Sequence, residues 1–121
     1  MNKGRLRHLI KILQENEKEK KIKLTMRRWY DGEMACAGGI ACLSKTFNKQ
    51  GLYYNYNHSN LSPQYGDTYG YHAIEAFFSL SRSETFAIFC AKSYDPFVLD
   101  DPNVNEKDII DRIRSVIGEA I

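Results

Sequence analysis

The strongest constraint on the fold of this chain is the run Met34–Leu43, ten residues that are all apolar or glycine. The surrounding segment, Glu33–Phe47, fits one helix, because residues spaced three and four apart share a single helical face. A helix that is apolar around most of its circumference is usually buried. The sequence therefore predicts that the chain packs around Glu33–Phe47. The shared face carries Cys36, Gly39, Ile40, Leu43 and Phe47.

The ends and the middle of this predicted helix carry their own signals. Asp31 is a suitable N-cap, and Gly51 can adopt the left-handed conformation that ends a helix. Two glycines in the interior, Gly38 and Gly39, each cost about 1 kcal/mol of helix propensity relative to alanine. We expect a compensating close approach of neighbouring chain at these glycines.

Four other segments have helix signals. Lys3–Lys20 and Gly70–Leu80 each carry an apolar stripe, and a capping box begins a further helix at Ser81. Asn105 caps the last helix, which has the clearest amphipathic pattern in the chain. The helix from Ser81 is expected to bury Phe86, Phe89 and Cys90.

The expected fold class is all-α, a compact orthogonal bundle of about five helices in a single domain over residues 1–121. Ile22–Met26 alternates like a strand, but it is short and has no obvious partner, so an extended linker is favoured. One long tyrosine-rich loop, with a possible small hairpin around Tyr53–Tyr65, completes the prediction.

Length and composition are those of an ordinary globular domain. The chain has 121 residues, of which 43% are hydrophobic and 26% charged. No apolar run approaches the ~20 residues of a membrane span, and the charged first residues are not followed by the apolar region of a signal peptide. Three cysteines without a CxxC pair favour reduced thiols. We expect a cytoplasmic protein.

Charge is unevenly distributed along the chain. The first thirty residues hold ten of the seventeen lysines and arginines, whereas the remainder is acidic. This asymmetry indicates either a surface for nucleic acid or an acidic partner, or a basic first helix that packs near the acidic last one. The candidate basic patch is Lys18, Lys20, Lys21, Lys23, Arg27 and Arg28.

Tyrosines are concentrated in Leu52–Tyr69, together with asparagine, serine, proline and glycine. This mixture is typical of contact surfaces, because tyrosine combines a large amphipathic ring with little side-chain entropy. The alternative is that the rings cover the core. The candidate partner-binding residues are Tyr53, Tyr54, Tyr56, Tyr65, Tyr69 and Tyr71.

A series of short motifs supports a resemblance. The motifs are Trp29, Asp31–Ala41, Gly51-Leu52, Ala76–Ser81, Ala87–Phe89, Tyr94 and Ile109–Ile117. On these pieces the chain resembles a family of small hypothetical bacterial and phage proteins with a CGTxACxAGxA-like helix and an FFGLS-like helix junction. The resemblance implies the fold and no established activity. The chain departs from the family at Asp31, where the family has Cys, and at Ile40, where it often has His or Trp, which argues against chemistry that needs those residues.

Catalytic and metal-binding alternatives depend on few residues. Cys36 falls in the first turns of the predicted central helix, where a thiol can be activated, and His72 or His58 would act as its base. The competing interpretation is that Cys36 is a small core residue. A metal site is not expected, because Cys36 and Cys42 lie on roughly opposite sides of the predicted helix. No cofactor is expected.

These patterns favour a non-enzymatic module that binds a protein partner through the tyrosine-rich segment, with or without the basic patch. The resemblance extends this hypothesis to a phage or mobile-element accessory protein that inhibits a host defence complex. The first alternative is a hydrolase or transferase that depends on Cys36. The second is a small-ligand or nucleic-acid binding protein that uses the aromatic loop and the basic segment.

Overall fold

The computed structural model describes residues 1–55, 62–95 and 103–119. Helices hold 56% of these described residues and strands 14%, so the fold is mixed α/β and the all-α prediction is wrong. A 3₁₀ turn, Ala91–Ser93, follows the fifth α-helix. The other elements in chain order are α1 (Lys3–Glu19), β1 (Lys23–Leu24), β2 (Met34–Ala35), α2 (Ala37–Cys42), α3 (Lys45–Lys49), β3 (Leu52–Asn55), β4 (Ser62–Tyr65), β5 (Thr68–Tyr69), α4 (Tyr71–Phe78), α5 (Arg82–Phe89) and α6 (Glu106–Ile117).

The predicted central helix is divided into three elements, β2, α2 and α3. Its first residues are extended because they pair in parallel with β1, where the Thr25 amide donates to the Ala35 carbonyl at 3.0 Å. The Ser44 hydroxyl then accepts a hydrogen bond from the Phe47 amide and caps a new helix. Backbone pairing and side-chain capping therefore override the helical periodicity of the apolar run.

Asp31 forms a turn and does not cap a helix. Its carboxylate accepts hydrogen bonds from the amides of Met34 (2.8 Å) and Glu33 (3.0 Å), and these bonds, followed by the charge of Arg28, lower the pKa of Asp31. The turn brings β2 alongside β1. The prediction of a linker over Ile22–Met26 is therefore wrong, since its partner strand exists only after the chain has turned.

The possible hairpin is present. Strands β3 and β4 pair antiparallel, with Leu52 opposite Tyr65 and Asn55 opposite Ser62, and β5 extends them to three strands. Residues 56–61, which separate β3 from β4 in the sequence, lie outside the described residues.

Local signals identified the later helices correctly. The Ser81 hydroxyl accepts from the Glu84 amide at 3.1 Å while the Glu84 carboxylate accepts from the Ser81 amide at 2.8 Å, which confirms the capping box. Asn105 caps α6 through the amide of Asp108 at 3.0 Å. Each motif is formed by residues only three apart in the sequence. It therefore does not depend on how the helices pack in the tertiary structure.

The first helix packs against the last one, as the internal interpretation of the charge asymmetry predicted, but α6 itself is not acidic, since it holds three acidic and three basic residues. Arg7 forms an ion pair with Glu119, and the Asn16 side-chain amide donates to Glu106 at 3.0 Å. Lys21, from the candidate basic patch, pairs locally with Glu19. Part of the sequence asymmetry is thus neutralised within the fold.

The glycine pair permits the close approach that its propensity cost predicted. A Cβ at Gly38 would lie 2.6 Å from the Trp29 ring, and a Cβ at Gly39 would overlap the Trp29 carbonyl oxygen and the Tyr54 hydroxyl. The Tyr54 hydroxyl donates to that carbonyl at 2.7 Å. The segment that carries Trp29 is therefore held directly against α2.

Candidate functional site

An open groove lies between the start of α4, the outer face of α5 and the residues that precede Trp29. It consists of two adjoining hollows of about 280 and 380 Å³ that share Tyr71 and Cys90. We call it the aromatic–basic groove. Its first hollow is also lined by His72, Glu75, Arg82, Thr85 and Phe86, and its second by Met26, Arg27, Arg28, Ala91 and Lys92.

The spacing of residues on α5 explains the apolar wall. Arg82, Phe86 and Cys90 are four residues apart and share one helical face, while the adjacent face, which carries the buried residues of α5, enters the core. Phe86 is consequently 48% exposed, so the prediction that α5 buries it is wrong. Phe86 and the buried Phe89 are three residues apart, so only about 60° separates them on a helical wheel and no local pattern distinguished the exposed ring from the buried one.

Tyr71 forms the boundary between the two hollows. Its ring is 46% exposed and contacts Trp29 at a centroid distance of 4.9 Å. Burial, and then the neighbouring thiols of Cys90 and Cys36, raise the pKa of Tyr71 to about 12. Within residues 1–55, 62–95 and 103–119 its hydroxyl has no hydrogen-bond partner. The groove therefore offers a protonated hydroxyl that can donate to a ligand.

Charge is balanced at one end of the groove and unbalanced at the other. Glu75 lies 3.5 Å from Arg82 and 3.7 Å from His72, so the end beside α4 is compensated. At the other end, neither Arg27 nor Lys92 has an ion-pair partner in the described part of the chain. Within the described ranges, these two side chains leave that end with a positive charge that can meet an anionic group.

The structure divides the candidate tyrosines among three locations. Tyr53 and Tyr69 are 43% and 45% exposed and both stand beside Gln64 in one row across the β3–β4–β5 sheet. Tyr54 and Tyr65 belong to the opposite face, where Tyr54 is buried and Tyr65 is half-buried. Tyr56 lies outside the described residues, and Tyr71 lies in the groove. A single surface of all six tyrosines does not form, because alternate strand residues face opposite sides.

The candidate basic patch is likewise divided. Lys18 and Lys20 lie at the end of α1 and Lys23 in β1, all exposed, while Arg28 pairs with Asp31 at 3.2 Å. Of the six, only Arg27 and Arg28 line the groove. Sequence reasoning missed Lys92, which joins them only because the 3₁₀ turn packs nearby.

Cys36 is not set up as a nucleophile. It is buried at the N-cap of α2, and burial raises the pKa of its thiol to about 11 against the smaller, opposing influence of the first amides of the helix. His72 is exposed on α4 and pairs with Glu75. At neutral pH the thiol is protonated and has no imidazole partner among the described residues. His58 lies outside the described residues.

Alkylation of the folded protein should be confined to Cys90. Cys90 is half-buried in the groove, whereas Cys36 and Cys42 are buried and have raised thiol pKa values. A pKa of about 11 leaves about a hundredfold less thiolate than an ordinary thiol, in addition to the steric protection. Iodoacetamide at mildly alkaline pH followed by peptide mass mapping measures the order of labelling.

Two controls accompany that experiment. Urea should expose all three thiols, and Cys90→Ser should remove the fast reaction. Labelling of Cys36 as fast as Cys90 in the folded protein would contradict the arrangement and would restore the enzyme hypothesis.

Comparisons with protein-family models, with curated proteins and with solved structures find no match to this chain. The family resemblance therefore remains a prediction from short motifs. Among residues 1–55, 62–95 and 103–119, no cluster of three or more His, Cys, Asp or Glu side chains could hold a metal ion. The helices described there include none that is long and apolar enough to span a membrane.

Proposed function

We propose that this chain is a non-enzymatic protein-binding module and that the aromatic–basic groove is its contact surface. The observation that carries the proposal is the combination, in one groove, of two half-exposed aromatic rings and two cations that have no ion-pair partner among the described residues. Interface centres are enriched in aromatic residues and arginine, which is the composition of this groove.

Support for binding over catalysis comes from the titratable groups. The thiol most suited by sequence to act as a nucleophile is buried and protonated, and His72 is engaged by Glu75. The groove has no nucleophile held by a base within hydrogen-bond distance among the described residues. Its polar groups are suited to orienting a ligand, which is what a docking surface requires.

The experiment is an affinity capture from an extract of the native host with two matched double variants. Tyr71→Ala/Phe86→Ala alters the groove, and Tyr53→Ala/Tyr69→Ala alters the exposed sheet face. All four side chains are 43–48% exposed, so both variants should retain the stability of the wild-type fold. We expect partner recovery to survive the sheet variant and to be lost in the groove variant.

The opposite pattern, with loss in the sheet variant alone, would replace the groove with the tyrosine face predicted from sequence. Thermal melting of both variants must accompany the capture, because a destabilised groove variant would lose binding for an unrelated reason. The hypothesis that the partner belongs to a host defence complex rests on the resemblance and remains a prediction.

A further inference from the structure

The two hollows of the groove differ in chemistry. The first is bounded by the Tyr71 and Phe86 rings and by Cys90, and its volume is about 280 Å³. Sites for drug-sized ligands usually have about 300–1,000 Å³. The first hollow by itself is therefore of a size for one large apolar side chain.

The second hollow adds positive charge directly beside that apolar space. Because the hollows share Tyr71 and Cys90, a ligand anchored in the first has its neighbouring groups near Arg27 and Lys92. Arg28 is partly neutralised by Asp31 at 3.2 Å, so Arg27 and Lys92 carry the charge that no residue in the described part of the chain compensates. Carboxylates are the groups that an arginine fork and a lysine ammonium bind best in a protein partner.

We infer that the occupant of the groove is a short acidic segment of a partner protein, with one aromatic or large aliphatic side chain between Tyr71 and Phe86 and carboxylates facing Arg27 and Lys92. This inference rests on the proposed function and specifies the chemistry of its partner. The Tyr71 hydroxyl, which lacks a partner in the described part of the chain, donates to a carbonyl or carboxylate of the bound segment.

Single-stranded nucleic acid fits the groove less well. A bound strand needs a positively charged track along successive phosphates and repeated aromatic platforms for its bases. The groove supplies one aromatic pocket and positive charge at one end, while its other end contains the Glu75 carboxylate between His72 and Arg82. A partner segment with a single apolar anchor side chain and adjacent carboxylates matches this asymmetric distribution of charge.

Fluorescence polarisation with defined peptides tests the inference on the intact chain. The probes are fluorescein-labelled peptides of about eight residues: one with a central tryptophan flanked by Asp and Glu, one with alanine replacing the tryptophan, and one with lysines replacing the acids. A labelled oligothymidylate of comparable length is the fourth probe. We expect only the acidic tryptophan peptide to bind well, with affinity about tenfold or more above the alanine peptide and decreasing as salt is added.

Charge reversal localises the interaction. Arg27→Glu and Lys92→Glu should each weaken binding of the acidic tryptophan peptide by about fivefold or more. Lys49→Glu is the matched control, because Lys49 is exposed at the end of α3, outside the groove, and undergoes the same change in charge. The Lys49→Glu protein should bind the acidic tryptophan peptide with the same affinity as the wild type.

Three results would overturn the inference: equal binding of the acidic and basic peptides, tighter binding of the oligothymidylate with loss in Arg27→Glu, or no peptide binding up to about millimolar concentration. None of these would itself refute the proposed function, which fails only if groove variants retain the captured partner. Capture lost in Tyr71→Ala/Phe86→Ala without peptide binding would refute the acidic segment and leave the groove as a protein-binding surface.

Discussion

Gly39→Ala is expected to destabilise the protein by about 3 kcal/mol or more, with a decrease in Tm of roughly 10 °C. The added Cβ would overlap the main-chain carbonyl oxygen of Trp29 and the Tyr54 hydroxyl bonded to it. A flexible side chain could move aside, but this carbonyl belongs to a segment held by the Tyr54 hydrogen bond. The clash can be relieved only by separating that segment from α2.

Gly4→Ala provides the matched control. Gly4 also lies inside a helix, α1, but it is exposed and a Cβ there meets only the Asn2 side-chain oxygen at 3.6 Å. Because alanine has a better helix propensity than glycine, the free energy of unfolding of Gly4→Ala should be unchanged or raised by up to about 1 kcal/mol. Urea denaturation of both variants measures the difference. A Gly39→Ala protein as stable as Gly4→Ala would show that the Trp29 segment does not pack where the structure places it.

Phe77→Ala should lower the free energy of unfolding by about 3–5 kcal/mol, the range for removing a fully buried aromatic side chain. The Phe77 ring contacts the rings of Phe47, Phe78 and Tyr65 at centroid distances of 4.9, 5.0 and 5.2 Å. It also lies 4.1 Å below the Arg5 guanidinium carbon. Its removal would leave a cavity lined by rigid rings that cannot readily move inward.

Phe86→Ala removes the same side chain from the surface of the adjacent helix. Phe86 is half-exposed, so its removal should change stability by only about 0.5 kcal/mol. Chemical denaturation of the two variants compares their free energies of unfolding. The comparison requires that the dependence of this free energy on denaturant concentration is the same in both. If Phe86→Ala were as destabilising as Phe77→Ala, the outer face of α5 would be core and the groove would not exist as described.

The sequence predicted features whose determinants lie within one turn of helix. The capping box at Ser81, the N-cap at Asn105 and the apolar stripe of α6 depend on residues three or four apart, and the structure contains all of them. The prediction of one helix over Glu33–Phe47 failed because the conformation of its first residues is set by pairing with β1, a separate segment of the chain. A two-residue strand has no measurable period, so β2 could be identified only together with β1.

The site was less accessible to prediction for a related reason. Tyrosine content indicated a contact surface, but the face that each ring occupies follows from strand register, which placed Tyr54 in the core and Tyr53 outside. The groove joins residues from three separate segments. The nearness of Lys92 to Arg27 is a property of tertiary packing, and no local pattern encodes it.

Trp29, which lies close to both Gly38 and Tyr71, gives the protein a useful optical property. It is the single tryptophan of the chain, so intrinsic emission excited in the indole band originates from one position. That position adjoins both the tightest packing in α2 and a wall of the groove. The wavelength of maximum emission and the quenching of the fluorescence therefore report the polarity beside Tyr71. A binding titration can be followed in this way on the unlabelled chain.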